Sequence, residues 1–144
     1  MGKMIYTANS VEDLDGVARQ ILSDLGDVRV VAFNAPMGAG KTTLISALSK
    51  ALGTLSIVNS PTFAIVNDYD MGECGSAIYH FDLYRLKSMG ELMDIGFDDY
   101  ISSGNYCFVE WPELALDLLP DNYATITISV DQESLSRTIE LSFN

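Results

Sequence analysis

The stretch Val30-Val31-Ala32-Phe33-Asn34-Ala35-Pro36-Met37-Gly38-Ala39-Gly40-Lys41-Thr42-Thr43 decides the fold. Its first four residues are an apolar run, and Arg29 to Phe33 reads as a buried strand. After Thr43, Leu44, Ile45, Leu48 and Leu52 recur at helical spacing, and Gly53 stands where a helix would end. Strand, glycine turn, Gly-Lys-Thr and helix is the context of a phosphate-binding P-loop. Gly38 and Gly40 can adopt backbone angles closed to other residues, so successive N–H groups can curl around an anion at the helix N-terminus. Lys41 would add a positive charge for the β- and γ-phosphates, Thr42 a hydroxyl for Mg²⁺, and Thr43 a contact to the α-phosphate. The first glycine of G-x-x-x-x-G-K-[ST] is Ala35 here, at the loop entrance.

Working outward, Lys3 to Thr7 reads as an edge strand, and Ser10 to Asp13 as a capping box opening a helix that Gly26 ends. Pro61 forbids helix near Ser60. Ala64 to Tyr69 and Ser76 to Asp82 read as strands of a hairpin, and Leu86 to Ser103 as helix broken at Gly96. Tyr106 to Glu110 is a short apolar strand, and Pro112 opens a helix to Leu118. Alternating residues from Ala124 to Val130 and from Ile139 to Phe143, joined by an Asp131 to Ser134 turn, make a last hairpin. The expectation is an α/β protein of the P-loop NTPase fold: a parallel-centred mixed sheet, helices on both faces, antiparallel hairpins at the edges. Residues 1–144 form one domain.

Composition narrows the function. No apolar run is long enough to span a bilayer, and Met1 to Tyr6 lacks the apolar segment of a signal peptide, so the chain reads as cytoplasmic with no membrane role. Cys74 and Cys107 lack metal-ligand spacing, and Cys107, in an apolar run, reads as a buried thiol. The net charge is −12, with only eight cations, which excludes the basic stripe that a chain needs to grip nucleic acid alone. If nucleic acid matters to the function, a partner would hold it.

Phosphate chemistry in such a fold needs a second acid at the end of a strand beside the P-loop strand. Asp82 closes Ala77-Ile78-Tyr79-His80-Phe81-Asp82, and Glu110 closes Tyr106-Cys107-Phe108-Val109-Glu110. Both stand where open α/β sheets bind ligands, and spacing leaves their roles open. His80 is the only histidine, so a histidine-based metal cluster or a Ser-His-Asp triad is excluded. It lies two residues before Asp82, on the same face, and reads as a supporting residue. Trp111 reads as a site or partner contact.

The segments Gly38-Ala39-Gly40-Lys41-Thr42-Thr43, Ser60-Pro61-Thr62-Phe63, His80-Phe81-Asp82-Leu83-Tyr84-Arg85-Leu86 and Val109-Glu110-Trp111-Pro112-Glu113 together resemble the bacterial TsaE (YjeE) family, the small ATPase of tRNA threonylcarbamoyladenosine biosynthesis. The resemblance implies Thr42 and Glu110 as Mg²⁺ ligands, and Asp82 as the acid needed for hydrolysis. It implies a switch loop at Pro61-Thr62 near the γ-phosphate, Arg137 near the nucleotide, and Ser10 near the adenine. It also moves Tyr84 and Arg85 toward the site. The family's Gly-Asp at the loop entrance is Ala35-Pro36 here, and Pro36 has no N–H to donate.

The leading expectation is slow ATP hydrolysis, because Lys41, Arg85 and Arg137 are few cations for phosphoryl transfer. The resemblance supplies the TsaB–TsaD heterodimer as the partner that turnover would switch or reset. The alternatives are a small-molecule or nucleoside kinase using the same P-loop, and a nucleotide-gated binding module with no turnover. A kinase usually needs an Arg-rich lid, which the cation shortage disfavours.

Overall fold

In the computed structural model, residues 3–36, 39–54, 58, 65–71 and 76–144 are described. The strands are β1 (Lys3–Ala8), β2 (Val30–Asn34), β3 (Val66–Asp70), β4 (Ala77–Asp82), β5 (Tyr106–Glu110), β6 (Ala124–Val130) and β7 (Arg137–Phe143). The helices are α1 (Asp13–Leu25), α2 (Lys41–Leu52), α3 (Met89–Asp94) and α4 (Phe97–Ile101), with a 3₁₀ segment at Pro112–Leu118. Among the described residues the strands form one seven-stranded sheet in the order β1-β7-β6-β2-β5-β4-β3. The centre is parallel, with β2 between β5 and β6 and β4 beside β5. The β3–β4, β6–β7 and β1–β7 pairs are antiparallel. This is the parallel-centred sheet with edge hairpins that the sequence pattern predicts.

The pleat sends alternate residues to opposite faces. Val31, Phe33, Ile78, Phe108 and Ile126 meet Leu14 and Ile21 of α1 and Leu44, Ile45 and Leu48 of α2 in one core. Val30, Phe81, Cys107 and Val109 meet Leu92 of α3, Phe97 of α4 and Ala115 in the other. Phe33 packs edge-on against Phe108, with ring centroids 5.8 Å apart. Such a pair contributes about 0.5–1.5 kcal/mol beyond area burial.

Two local details differ from the sequence reading, and one agrees with it. Ser10 does not cap α1: Glu12 is the N-cap residue, in helical geometry and with no side-chain cap bond. The Asp13 carboxylate instead accepts from the Asn9 N–H at 2.9 Å, one residue out of register with a capping box. The Leu86 to Ser103 segment breaks at Gly96 as the sequence reading has it: Gly96 turns left-handed at φ 77° and separates α3 from α4. The Pro112 segment is 3₁₀ rather than α-helical.

Candidate nucleotide site at the strand ends

The C-terminal ends of β2, β5 and β4 lie side by side. Phe33 is registered with Glu110, and Glu110 with Asp82. Glu110 therefore stands on the strand next to the P-loop strand, and Asp82 one strand further out. This settles a geometric question that spacing leaves open: Glu110 is the acid nearer the P-loop. Asp82 is partly buried, and its Oδ1 accepts from the Tyr84 N–H at 3.0 Å, fixing the turn after β4.

The P-loop joins β2 to α2. The Ala39 N–H donates to the Pro36 carbonyl at 3.2 Å, shortly before the helix. Gly40 is left-handed at φ 98°, as a P-loop glycine must be able to be. The first N–H groups of α2 have no acceptor within the helix and carry its positive dipole end, which suits an anion. Arg137, at the start of β7, donates through Nε to the Ala39 carbonyl at 2.8 Å. It thus grips the loop backbone from a strand 98 residues away in sequence.

Lys41 is 8% exposed and Glu110 only 3%. Lys41 Nζ lies 3.9 Å from Glu110 Oε1, 3.5 Å from the Ala35 carbonyl oxygen and 4.1 Å from the Trp111 ring centroid. Burial of such a pair gives little net stability, since desolvation offsets attraction. Its position is better explained by chemistry at the strand ends. Trp111 holds a left-handed backbone at φ 55°, a strained geometry for a residue with a side chain. Its ring also meets that of exposed Tyr84, with centroids 5.0 Å apart.

Glu110 Oε2 lies 2.6 Å from His80 Nε2, and His80 Nδ1 lies 2.7 Å from the Tyr69 hydroxyl. Neither the Tyr69 link nor the grip of Arg137 on Ala39 is visible in spacing. The first follows from the β3–β4 hairpin register, which puts Asn67 opposite His80 and so Tyr69 on the same face.

A cavity of about 480 Å³ opens between the start of α1 and α2. Val11, Glu12, Thr42, Thr43, Lys50 and Val58 are among the residues that line it. Exposed Ser10 immediately precedes the α1 wall and is not part of the lining. The volume suits a nucleoside-sized ligand. Of the other expected site residues, Gly38 and Thr62, with Ser60 and Pro61, lie outside the described residues. Lys41, Glu110, Ala39, Gly40 and Arg137 are brought together. Asp82 is reached through its register with Glu110, and Arg85 is exposed after β4.

The sequence model of a family described as "Threonylcarbamoyl adenosine biosynthesis protein TsaE" matches residues 8–139. The chain belongs to the TsaE family. It is 39% identical over 112 residues to a Haemophilus influenzae protein named tRNA threonylcarbamoyladenosine biosynthesis protein TsaE, covering 78% of this chain and 68% of that one. A Bacillus subtilis TsaE of the same name is 38% identical over 99 residues, covering 69% and 60%. The matched stretch thus spans about two thirds of the length of these curated relatives. Among solved structures, the crystal structure of Bacillus subtilis YdiB superposes with a TM-score of 0.75 at 26% identity, covering 97% of this chain and 84% of that one. No helix among the described residues is long and apolar enough to cross a membrane.

Proposed function

We propose that this TsaE-family chain is a P-loop ATPase of tRNA threonylcarbamoyladenosine biosynthesis. It binds Mg-ATP, hydrolyses it slowly and uses the turnover to switch or reset a TsaB–TsaD heterodimer. The observation that carries the reading is the buried approach of Glu110 Oε1 to Lys41 Nζ, 3.9 Å, where a P-loop meets the neighbouring strand end. A phosphate-binding lysine and a carboxylate at this place are what a Mg-nucleotide site needs.

The residues fit the metal. Mg²⁺ takes hard oxygen donors and commonly keeps waters and phosphate oxygens, so one or two protein ligands suffice. The Thr42 hydroxyl and the Glu110 carboxylate supply such donors, and Asp82 stands on the adjoining strand. When bound, the ion would neutralise charge on the phosphates. Lys41 and the amides from Gly38 to Thr43 would hold the phosphates, Asp82 and Thr62 would orient the attacking water, and the base would enter the cleft between α1 and α2 past Ser10. Hydrolysis is slow in this reading because Lys41 and Arg137 are the cations at the described loop, and Arg137 Nε is spent on the Ala39 carbonyl. The setting is cytoplasmic, and the tRNA is reached through the partners.

The test is ATP turnover by the chain alone and with TsaB–TsaD. The expected result is a slow basal rate, stimulation by the heterodimer, and loss with Lys41→Ala and Asp82→Ala. No stimulation, together with full tRNA-modifying function in Asp82→Ala, would reduce the chain to a binding module. Phosphorylated product from a nucleoside panel would make it a kinase.

A further inference from the structure

The polar chain Tyr69–His80–Glu110 is buried inside an otherwise apolar core. Tyr69 is 3% exposed, His80 0% and Glu110 3%. Ile78, Phe108 and Phe33 surround the same face of the sheet. Any of these apolar residue types would pack at position 80 without the cost of burying an imidazole. An apolar residue there would, in turn, leave the buried Glu110 Oε2 and Tyr69 hydroxyl without this partner, so the place of His80 is tied to these two groups.

Both ring nitrogens are engaged. With Nε2 donating to Glu110 Oε2 at 2.6 Å, Nδ1 can accept from the Tyr69 hydroxyl at 2.7 Å. A ring held at both ends cannot rotate. The three residues come from three adjacent strands, β3, β4 and β5, whose register is fixed by the ladder. The Glu110 side chain, by contrast, has rotatable bonds of its own. Holding Oε2 leaves Oε1 as the oxygen that faces Lys41, 3.9 Å away.

We propose that His80, anchored by the Tyr69 hydroxyl, is a positioning residue that aims the Glu110 carboxylate at the metal of the nucleotide site. This rests on the reading of Glu110 as a metal-directed acid. His80 touches neither nucleotide nor metal. It acts by removing the rotational freedom that Glu110 would otherwise lose at each binding event. Hydrogen-bond partners of metal-binding side chains commonly set metal affinity by about 10–100-fold.

The experiment measures Mg²⁺ dependence apart from activity. ADP binding is followed by fluorescence of a labelled nucleotide, first with chelator and then across a Mg²⁺ titration. Wild type is compared with Tyr69→Phe, His80→Gln, His80→Leu and Glu110→Ala. Tyr69→Phe deletes one oxygen and is the variant most certain to fold. The expected result is that His80→Leu and Tyr69→Phe shift the Mg²⁺ midpoint upward, by about tenfold for His80→Leu. Chelator-insensitive ADP binding stays at the wild-type level. His80→Gln, whose amide can still donate near the Nε2 position, recovers most of the shift. If Glu110→Ala moves the midpoint while His80→Leu and Tyr69→Phe do not, the positioning role is overturned and the metal reading stands. If Glu110→Ala moves nothing, the metal reading fails and takes this inference with it. If the His80 variants lose ADP binding equally with and without Mg²⁺, His80 is a structural residue and the inference is overturned.

Discussion

The Lys41 ammonium lies 4.1 Å from the centroid of the Trp111 ring. A cation over an indole face is worth about 0.5–2 kcal/mol, depending on its desolvation. Polyphosphate charge competes for the same ammonium far more strongly. Trp111 is the only tryptophan, so tryptophan emission reports on its surroundings alone, which include Lys41 and the Tyr84 ring. A saturable change in intrinsic fluorescence is expected on adding ADP or ATP, and Lys41→Met should abolish it. A flat trace under conditions where labelled nucleotide binds would show that Lys41 stays on the indole and does not serve the phosphates.

Gly40 and Gly53 form a natural pair of controls. Both are left-handed, at φ 98° and φ 101°, and they cap the two ends of α2. A Cβ on Gly53 would meet nothing within 4 Å, whereas one on Gly40 would fall 3.1 Å from Arg137 Nε. Left-handed geometry alone costs an alanine about 1–2 kcal/mol. Gly53→Ala should lose about that much in urea unfolding and keep nucleotide affinity. Gly40→Ala should lose more stability and also weaken binding, because Arg137 must move off the loop. Equal effects at the two positions would mean that the Arg137 contact yields at no cost.

Much of this arrangement was legible in the chain. The Val30 to Phe33 run, the glycine turn and the Leu44–Leu48 spacing announce a strand, a loop and a helix because each is local. Asp82 and Glu110 stand out as acids closing apolar strands. Their order across the sheet was not legible, because it depends on which strand lies beside β2, a non-local pairing. The same holds for Tyr69, which reaches His80 only once the β3–β4 hairpin is registered. The Ser10 capping box failed for a local reason: the Asp13 carboxylate finds the Asn9 N–H instead. The resemblance pointed to Arg137, yet only the packed sheet shows it holding a loop carbonyl.

Cys107 should be inert in the native protein. Burial pushes its thiol from an ordinary 9.0 up to about 12, so almost no thiolate exists near neutrality. Its Sγ also lies 3.3 Å from the Tyr100 carbonyl oxygen. Iodoacetamide at pH 8, read by peptide mass mapping, should leave Cys107 unmodified until denaturant is added. The raised value also carries a stability consequence. The folded state favours the neutral thiol, so the contribution is present below pH 9 and is lost as pH rises toward 12. Cys107→Ala should flatten part of the alkaline fall in unfolding free energy over that window, after allowance for its own cavity cost. Rapid labelling of Cys107 under native conditions would mean that the core around β5 and α4 opens readily.

Arg137 offers the sharpest separation of binding from folding. Its Nε donates to the Ala39 carbonyl at 2.8 Å, and its guanidinium flanks Gly40. A lysine at 137 keeps the charge but has no Nε to donate sideways and no planar group to lie along the loop. A charged hydrogen bond of this kind contributes about 1.5–3 kcal/mol, so Arg137→Met should lower unfolding free energy by no more than that. Nucleotide affinity should fall further than this loss of fold stability explains, since the loop that presents the amides is no longer held. Arg137→Lys should resemble Arg137→Met rather than wild type, and raising salt should leave the difference in place because the defect is one of geometry. If Arg137→Lys binds ADP like wild type at every ionic strength, charge alone is sufficient at this position, and the backbone grip on Ala39 has no part in nucleotide binding.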